Sequence, residues 1–165
     1  MSSTAHRKDA RTSIRCFVLT ISDTRTDKTD KSGDLIVDAL WIAGQVVVGR
    51  TIVRDDPAAV KRAVTLGATT AQVVITTGGT GITSRDSTYE AIASLLDKRL
   101  DGFGELFRML SFEEIGSAAM LSRACAGAIG RTAVFSLPGS EHAVTLAMTR
   151  LIIPEIGHVV RELER

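Results

Sequence analysis

The sequence predicts an α/β fold, a three-layer sandwich around a mostly parallel central sheet, and three observations support that expectation. Short, continuous apolar runs of strand length alternate with stretches whose apolar residues recur at helical spacing. The apolar runs show no polar alternation, which suits strands covered by helices on both faces. The chain has 165 residues, 44% of them apolar, enough to bury one sizeable core and short for two.

Each element follows in order. Residues 1–13 are polar and aperiodic and are expected to form a flexible tail, with residues 14–165 forming a single domain. The run IRCFVLTI is the first strand, and a polar loop, SDTRTDKTDKSGD, leads into a helix marked by Ile36, Ala39, Leu40 and Ala43 and stopped near Gly44. QVVVGRTIV is the second strand. Asp56 before Pro57 reads as the N-cap of a helix whose Val60, Ala63 and Val64 share one face. VVIT is the third strand and runs straight into a glycine-rich loop. A helix is expected from Thr88 to about residue 96, then a longer one with Phe103, Leu106, Phe107 and Leu110 on one stripe. TAVFSL is the last strand, Pro138-Gly139 turns the chain into a helix with Val144, Ala147, Met148 and Leu151 in phase, and Pro154 opens a final helix.

Composition narrows the function. A net charge of +1 and a pI near 7.8 provide no broad field for nucleic acid or an anionic membrane. The N-terminus lacks a secretory apolar segment, and no run approaches the roughly 20 apolar residues of a membrane span, so a cytoplasmic protein is expected. Cys16 and Cys125 form neither a CxxC motif nor a disulfide framework and read as buried free thiols. His6, His142 and His158 match no ligand spacing, so no protein-held zinc site is expected.

Parallel sheets place their sites beyond strand C-terminal ends, where four loops fall: SDTRTDKTDKSG, RDDP, TGGTGITSRD and LPGS. In the third, Gly78, Gly79 and Gly81 can take positive φ and let a ligand reach the backbone N–H groups, which suits a phosphate. The loop is neither a GxxxxGK[ST] motif nor a complete GxGxxG fingerprint, because no Lys follows and Ser84 stands where the third glycine belongs. A tight strand-to-helix turn would use the same glycines, so both readings stand. Ser87 and Glu90 fit the S-x-x-E capping box, leaving Asp86 to face the loop and hold a divalent metal on bound phosphates. The alternative is that Asp86 merely complements the helix dipole, worth about 0.3–1 kcal/mol. With Asp56 assigned to capping, Asp55 is the functional candidate of its pair. Arg25, Lys28 and Lys31 could meet phosphates but suit a solvated loop better, and Ser32 or Gly33 could cap the following helix.

The stretch ITTGGTGITSRDSTYEA resembles the TTGGTG-x-x-x-RD-x-T-x-EA signature of the MoaB/MogA molybdenum cofactor biosynthesis family, related to the G domains of gephyrin and its plant counterpart. LTISD, GFGELFRMLSFEEIG, LSRACAG and SLPGS extend the likeness over most of the chain, closer to the MoaB branch. The resemblance implies the molybdopterin-binding fold and Mg²⁺-dependent adenylylation of molybdopterin by ATP, with release of pyrophosphate. It implies that Asp86 binds Mg²⁺ and aligns the phosphates, that Asp55 is a second catalytic acid, and that Gly78, Gly79, Thr80 and Gly81 cradle phosphate. Arg85 would join them in binding phosphate or substrate, while Ser22, Asp23, Pro138 and Gly139 would line the pterin and nucleotide pockets. The family forms trimers, some paired into hexamers, for which the apolar helix face around Phe103 and Leu110 is a candidate contact. A partner that inserts molybdate is a further expectation. Tyr89 and Arg54 depart from the family pattern, each standing where proline is frequent. Some MoaB-branch members that lose the Arg-Asp pair are thought not to adenylylate; Arg85-Asp86 is retained here, which favours an active enzyme over a non-catalytic pterin-binding scaffold. An adenylyltransferase for another phosphorylated substrate is a third reading.

Overall fold

A computed structural model describes residues 13–165. The tail expected over residues 1–13 lies, apart from Ser13, outside the described residues. The other residues build a six-stranded sheet in the order β2-β1-β3-β6-β5-β4, with β1 Arg15–Ile21, β2 Val46–Val53, β3 Val73–Thr77, β4 Lys98–Arg99, β5 Cys125–Ile129 and β6 Thr132–Leu137. Four neighbouring strands, β2, β1, β3 and β6, run parallel, while β5 is antiparallel to both β6 and β4.

Helices cover both faces, as the unalternating strands require. Along β1, Cys16 and Val18 enter one core while Phe17, Leu19 and Ile21 enter the other. The first core is closed by α1 (Lys31–Ile42), α4 (Asp101–Ile115), α5 (Glu141–Ala147) and α6 (Ile153–Glu164), through residues such as Ile36, Phe107, Val144 and Ile156. The second is closed by α2 (Pro57–Thr70) and α3 (Thr88–Ala93), through Val60, Val64 and Ile92. Cys16 and Cys125 are buried free thiols, pushed up by burial to about 12 and about 11, and so are inert at neutral pH.

Several elements differ from expectation. CAGAI forms β5, and Lys98-Arg99 forms a two-residue edge strand; the small, glycine-containing β5 carries too little β-branched surface to announce itself. The helix from Thr88 ends at Ala93, because the chain must turn at Ser94 to reach β4. Pro154 stands in the first turn of α6, as expected, but α6 is not detached from the helix before it. The segment Met148–Ile152 winds as a π-turn, in which the Ile153 N–H donates to the Met148 carbonyl, and carries the helix continuously from Glu141 to Glu164. By length and composition alone this 24-residue helix could cross a membrane, although charged residues such as Arg150 and Glu155 interrupt its apolar run. Its apolar stripe, including Val144, Met148, Ile152, Ile156 and Val160, is instead spent on the sheet. Phe103, Phe107 and Leu110 are likewise buried within the chain, so the exposed large apolar groups of α4 are Leu106, Met109, Phe112 and Ile115.

The loop after β1 is fastened rather than solvated. Asp30, fully buried, caps α1 by accepting from the Gly33 N–H at 3.0 Å, and also accepts from Thr20 Oγ1 at 2.6 Å and Arg50 at 2.9 Å. It therefore takes the capping role expected of Ser32 or Gly33. Burial alone would push its carboxyl up, but the hydrogen bonds from Thr20, Arg50 and Gly33, with the Arg50 charge, hold it below the usual carboxylate range. Arg25 donates to Ser32 Oγ at 2.7 Å and to the Gly139 carbonyl at 2.9 Å, so it ties this loop to the one after β6, where a solvated charge was expected.

This framework makes three predictions. Asp30→Ala removes a helix cap and strands the Thr20 hydroxyl, and should cost about 1–3 kcal/mol in denaturant unfolding at neutral pH. Because the folded Asp30 carboxyl is depressed, its stabilisation is present above the unfolded carboxylate pKa and is lost as pH falls through the folded value; Asp30→Asn should flatten that acid limb of the stability profile. Gly78 has φ +102° and an added Cβ would sit 2.2 Å from the Ile21 carbonyl oxygen, so Gly78→Ala should destabilise by about 3 kcal/mol or more in the same measurement.

Candidate functional site

Sheet order decides which loops can meet. From β1 the chain moves outward to β2 and then crosses back to β3, so the order reverses between β1 and β3, the place where such sheets open a crevice. The ends of β1, β3 and β6 lie side by side, with Thr20 opposite Thr77 and Thr77 opposite Leu137. The glycine loop, the first loop and LPGS therefore emerge together. The Gly78 N–H donates to the Leu137 carbonyl at 3.0 Å, and a Cβ on Gly139 would lie 3.3 Å from the Gly78 Cα.

A cavity of about 690 Å³ opens between the glycine loop, the LPGS turn, α4 and α5. Its polar end holds Gly78, Gly79, Thr80, Gly81, Asp86, Pro138 and Gly139, while Phe107, Ile115, Leu121 and Leu146 contribute an apolar wall. His142 pairs with Glu114 at its margin. Of the three loop glycines, Gly78 and Gly79 have positive φ; Gly81 does not, and instead its missing side chain makes room for the Asp86 carboxylate.

Asp86 is held in the loop itself. Its Oδ2 accepts from the Thr83 N–H at 2.9 Å and the Thr83 hydroxyl at 2.6 Å, and the carboxylate lies close against Gly81. The Thr83 hydroxyl, the Thr83 and Gly81 amides and the nearby Arg123 charge outweigh slight burial and keep Asp86 below the usual carboxylate range, hence ionised.

The expected capping box does not form. Ser87 occupies the N-cap position of α3 without a side-chain cap bond, its hydroxyl lying 3.4 Å from Asp55 Oδ1, and Glu90 pairs with Arg123. Asp55 faces the start of the helix instead, with its Oδ1 3.4 Å from both the Ser87 and the Thr88 hydroxyls. Asp55 thus has a structural role that sequence spacing could not reveal, since it reaches α3 from another loop. Burial, aided by the Asp86 charge and opposed by the Ser87 and Thr88 hydrogen bonds, pushes its carboxyl up. Asp56 caps α2 as expected, accepting from the Ala59 N–H at 2.8 Å.

A second, more open cleft of about 740 Å³ lies on the other side of Asp55, lined by Asp23, Arg54, Arg62 and Arg85. The Arg85-Asp86 pair is split between the two spaces: Asp86 faces the glycine cavity, while Arg85 donates to Asp23 at 2.8 Å in the cleft. Ser22 lines neither. Its Oγ accepts from the N–H groups of Thr24 and Arg25 at 3.2 and 3.1 Å and closes a turn. Among the described residues no group of three or more His, Cys, Asp and Glu side chains is gathered to hold a metal. The donor set nonetheless fits Mg²⁺, which binds through one or two carboxylates completed by substrate phosphates and water: Asp86 is ionised beside a phosphate-sized glycine loop, and Asp55 is close enough to feel its charge.

Comparison with known proteins agrees with this geometry. Residues 17–158 match the family described as a probable molybdopterin binding domain. The chain is 55% identical to molybdenum cofactor biosynthesis protein B of Bacillus cereus, over 100% of this chain and 99% of the relative, and 54% identical to that of Bacillus subtilis with the same coverage. Among solved structures, a molybdenum cofactor biosynthesis protein B superposes with a TM-score of 0.91 at 56% identity, covering 93% of this chain and 97% of the other. The tungsten cofactor synthesizing protein MoaB of Pyrococcus furiosus superposes with a TM-score of 0.80 at 40% identity, covering 94% and 100%. The chain therefore belongs to the MoaB/MogA family of molybdenum cofactor biosynthesis proteins.

Proposed function

We propose that the protein adenylylates molybdopterin, transferring AMP from Mg-ATP to the terminal phosphate of the pterin. The observation that carries this reading is the shared cavity: residues 78–81, the ionised Asp86 and the Pro138-Gly139 turn line one space with an apolar wall. In such a reaction a phosphate oxygen of the pterin attacks the α-phosphorus of ATP, the bond from that phosphorus to the bridging oxygen of the β-phosphate breaks, and pyrophosphate leaves with its electron pair. No covalent enzyme nucleophile is needed; position and charge neutralisation suffice. The loop N–H groups would hold phosphate oxygens, Asp86 would hold Mg²⁺ against them, and the apolar wall would receive a flat heterocycle. Bound Mg²⁺ would supply charge neutralisation on the phosphates. Asp55, poised to keep its proton to higher pH than an ordinary carboxyl, would steady the loop from behind and tune the charge beside Asp86. Same-chain association into trimers or hexamers, a cytoplasmic location and delivery of the product to a molybdate-inserting protein belong to the same reading.

Purified protein given molybdopterin and Mg-ATP should release pyrophosphate and form adenylylated pterin. Asp86→Asn should reduce that rate about 100-fold or more, since it removes the metal-facing charge; an unaltered rate would contradict the assignment. Chelation of Mg²⁺ should abolish transfer and its re-addition restore it. Retention of Arg85-Asp86 sets this reading above a non-catalytic pterin-binding scaffold, which would bind the pterin in calorimetry but neither bind Mg-ATP nor transfer AMP.

A further inference from the structure

Arg123, which precedes β5 in the LSRACAG stretch, lies outside the cavity and touches the glycine loop from behind. Its Nε donates to the Thr80 carbonyl at 3.1 Å, one terminal nitrogen donates to the Gly81 carbonyl and approaches the Asp86 carbonyl at 3.5 Å, and the other pairs with Glu90. The guanidinium also stands 5.1 Å from the centroid of the Tyr89 ring, and that ring is approached by Arg99 at 5.9 Å, with the Tyr89 hydroxyl accepting from Arg99 at 2.9 Å. With only about a quarter of its side chain exposed, Arg123 is fixed by Glu90 and Tyr89 on one side and spends its remaining donors on two consecutive carbonyls.

Consecutive carbonyls directed at one cation have a consequence for the amides they are bonded to. In a trans peptide the N–H points opposite to its C=O, so a Thr80 carbonyl turned towards Arg123 turns the Gly81 N–H away from it. That peptide lies against the Asp86 carboxylate, whose Oδ2 would be 2.5 Å from a Cβ on Gly81, and the Gly81 amide helps to keep Asp86 ionised. We propose that Arg123 is a positioning residue: through the Thr80 and Gly81 carbonyls it sets the peptide orientation that aims the loop N–H groups and Asp86 into the cavity. A lysine could supply the charge but not the planar fork that engages both carbonyls and Glu90 together. The same geometry assigns Tyr89 a purpose, as the ring over which the guanidinium stands.

The inference rests on the reading of Asp86 as the metal-facing acid, so its test includes a measurement that needs no turnover. In Arg123→Lys, amide hydrogen exchange should accelerate within residues 79–86 while the amides of β1, β3 and β6 keep their protection and Tm stays that of the parent. In the AMP-transfer assay kcat should fall about 10- to 100-fold with little change in KM for the pterin, as expected for misplacement rather than lost binding. Added guanidinium ion should partly restore kcat to Arg123→Ala; if that variant does not fold, Arg123→Lys carries the test. Unchanged loop exchange in Arg123→Lys would overturn the proposal, as would loop exchange that merely follows a loss of protection across the whole sheet. Failure of the parent protein to transfer AMP would instead contradict the adenylylation reading and leave the exchange result to decide the role of Arg123.

Discussion

The structure turns on the close passage of three chain segments at Gly78. There the end of β3 runs beneath the Ile21 carbonyl of β1, donates to Leu137 of β6 and lies against Gly139, with backbone so near that any side chain would collide. The left-handed conformation at Gly78 and Gly79 is what lets the chain leave the sheet and fold back as a loop instead of continuing as strand. Because the three strand ends are in register, fixing this passage fixes the loops on either side. Arg25 and Ser32 reinforce it from the first loop by holding the Gly139 carbonyl, and buried Asp30 anchors that loop to β1, α1 and β2 together.

On this frame the acids divide the labour differently from their order in the chain. Asp86 is organised by its own loop and remains ionised at the cavity. Asp55 belongs to a distant loop, stands against the Ser87 and Thr88 hydroxyls at the start of α3 and has its carboxyl pushed up by burial. Two neighbouring carboxyls whose pKa values are pushed in opposite directions are suited to different tasks, one to meeting a cation and the other to supporting the wall behind it. Asp23 and Arg85 form a separate pair on the far side, so the sequence neighbours Arg85 and Asp86 serve different spaces.

Much of this was legible in the sequence where it depends on local pattern. The unalternating apolar runs announced β1, β2, β3 and β6, the Asp-Pro pair announced α2, and the glycines marked the loop that lines the cavity. What escaped depends on partners far along the chain. The S-x-x-E pattern at Ser87 and Glu90 is locally sound, but Asp55 and Arg123, each more than thirty residues away, compete for the same groups and prevail. Arg25 looked solvated because its acceptor, the Gly139 carbonyl, is 114 residues distant. Strand β5 carried alanine and glycine, and the π-turn absorbed Pro154 in a way that no residue pattern specifies.

The central claim is that the loop at residues 78–81 is a phosphate cradle with Asp86 as its metal-facing acid. A crystal structure with Mg²⁺ and a non-hydrolysable ATP analogue tests it most directly. The account predicts phosphate oxygens within hydrogen-bond distance of the loop N–H groups and Mg²⁺ bridging Asp86 to those phosphates. Nucleotide bound away from this loop, or metal bound without Asp86, would contradict it.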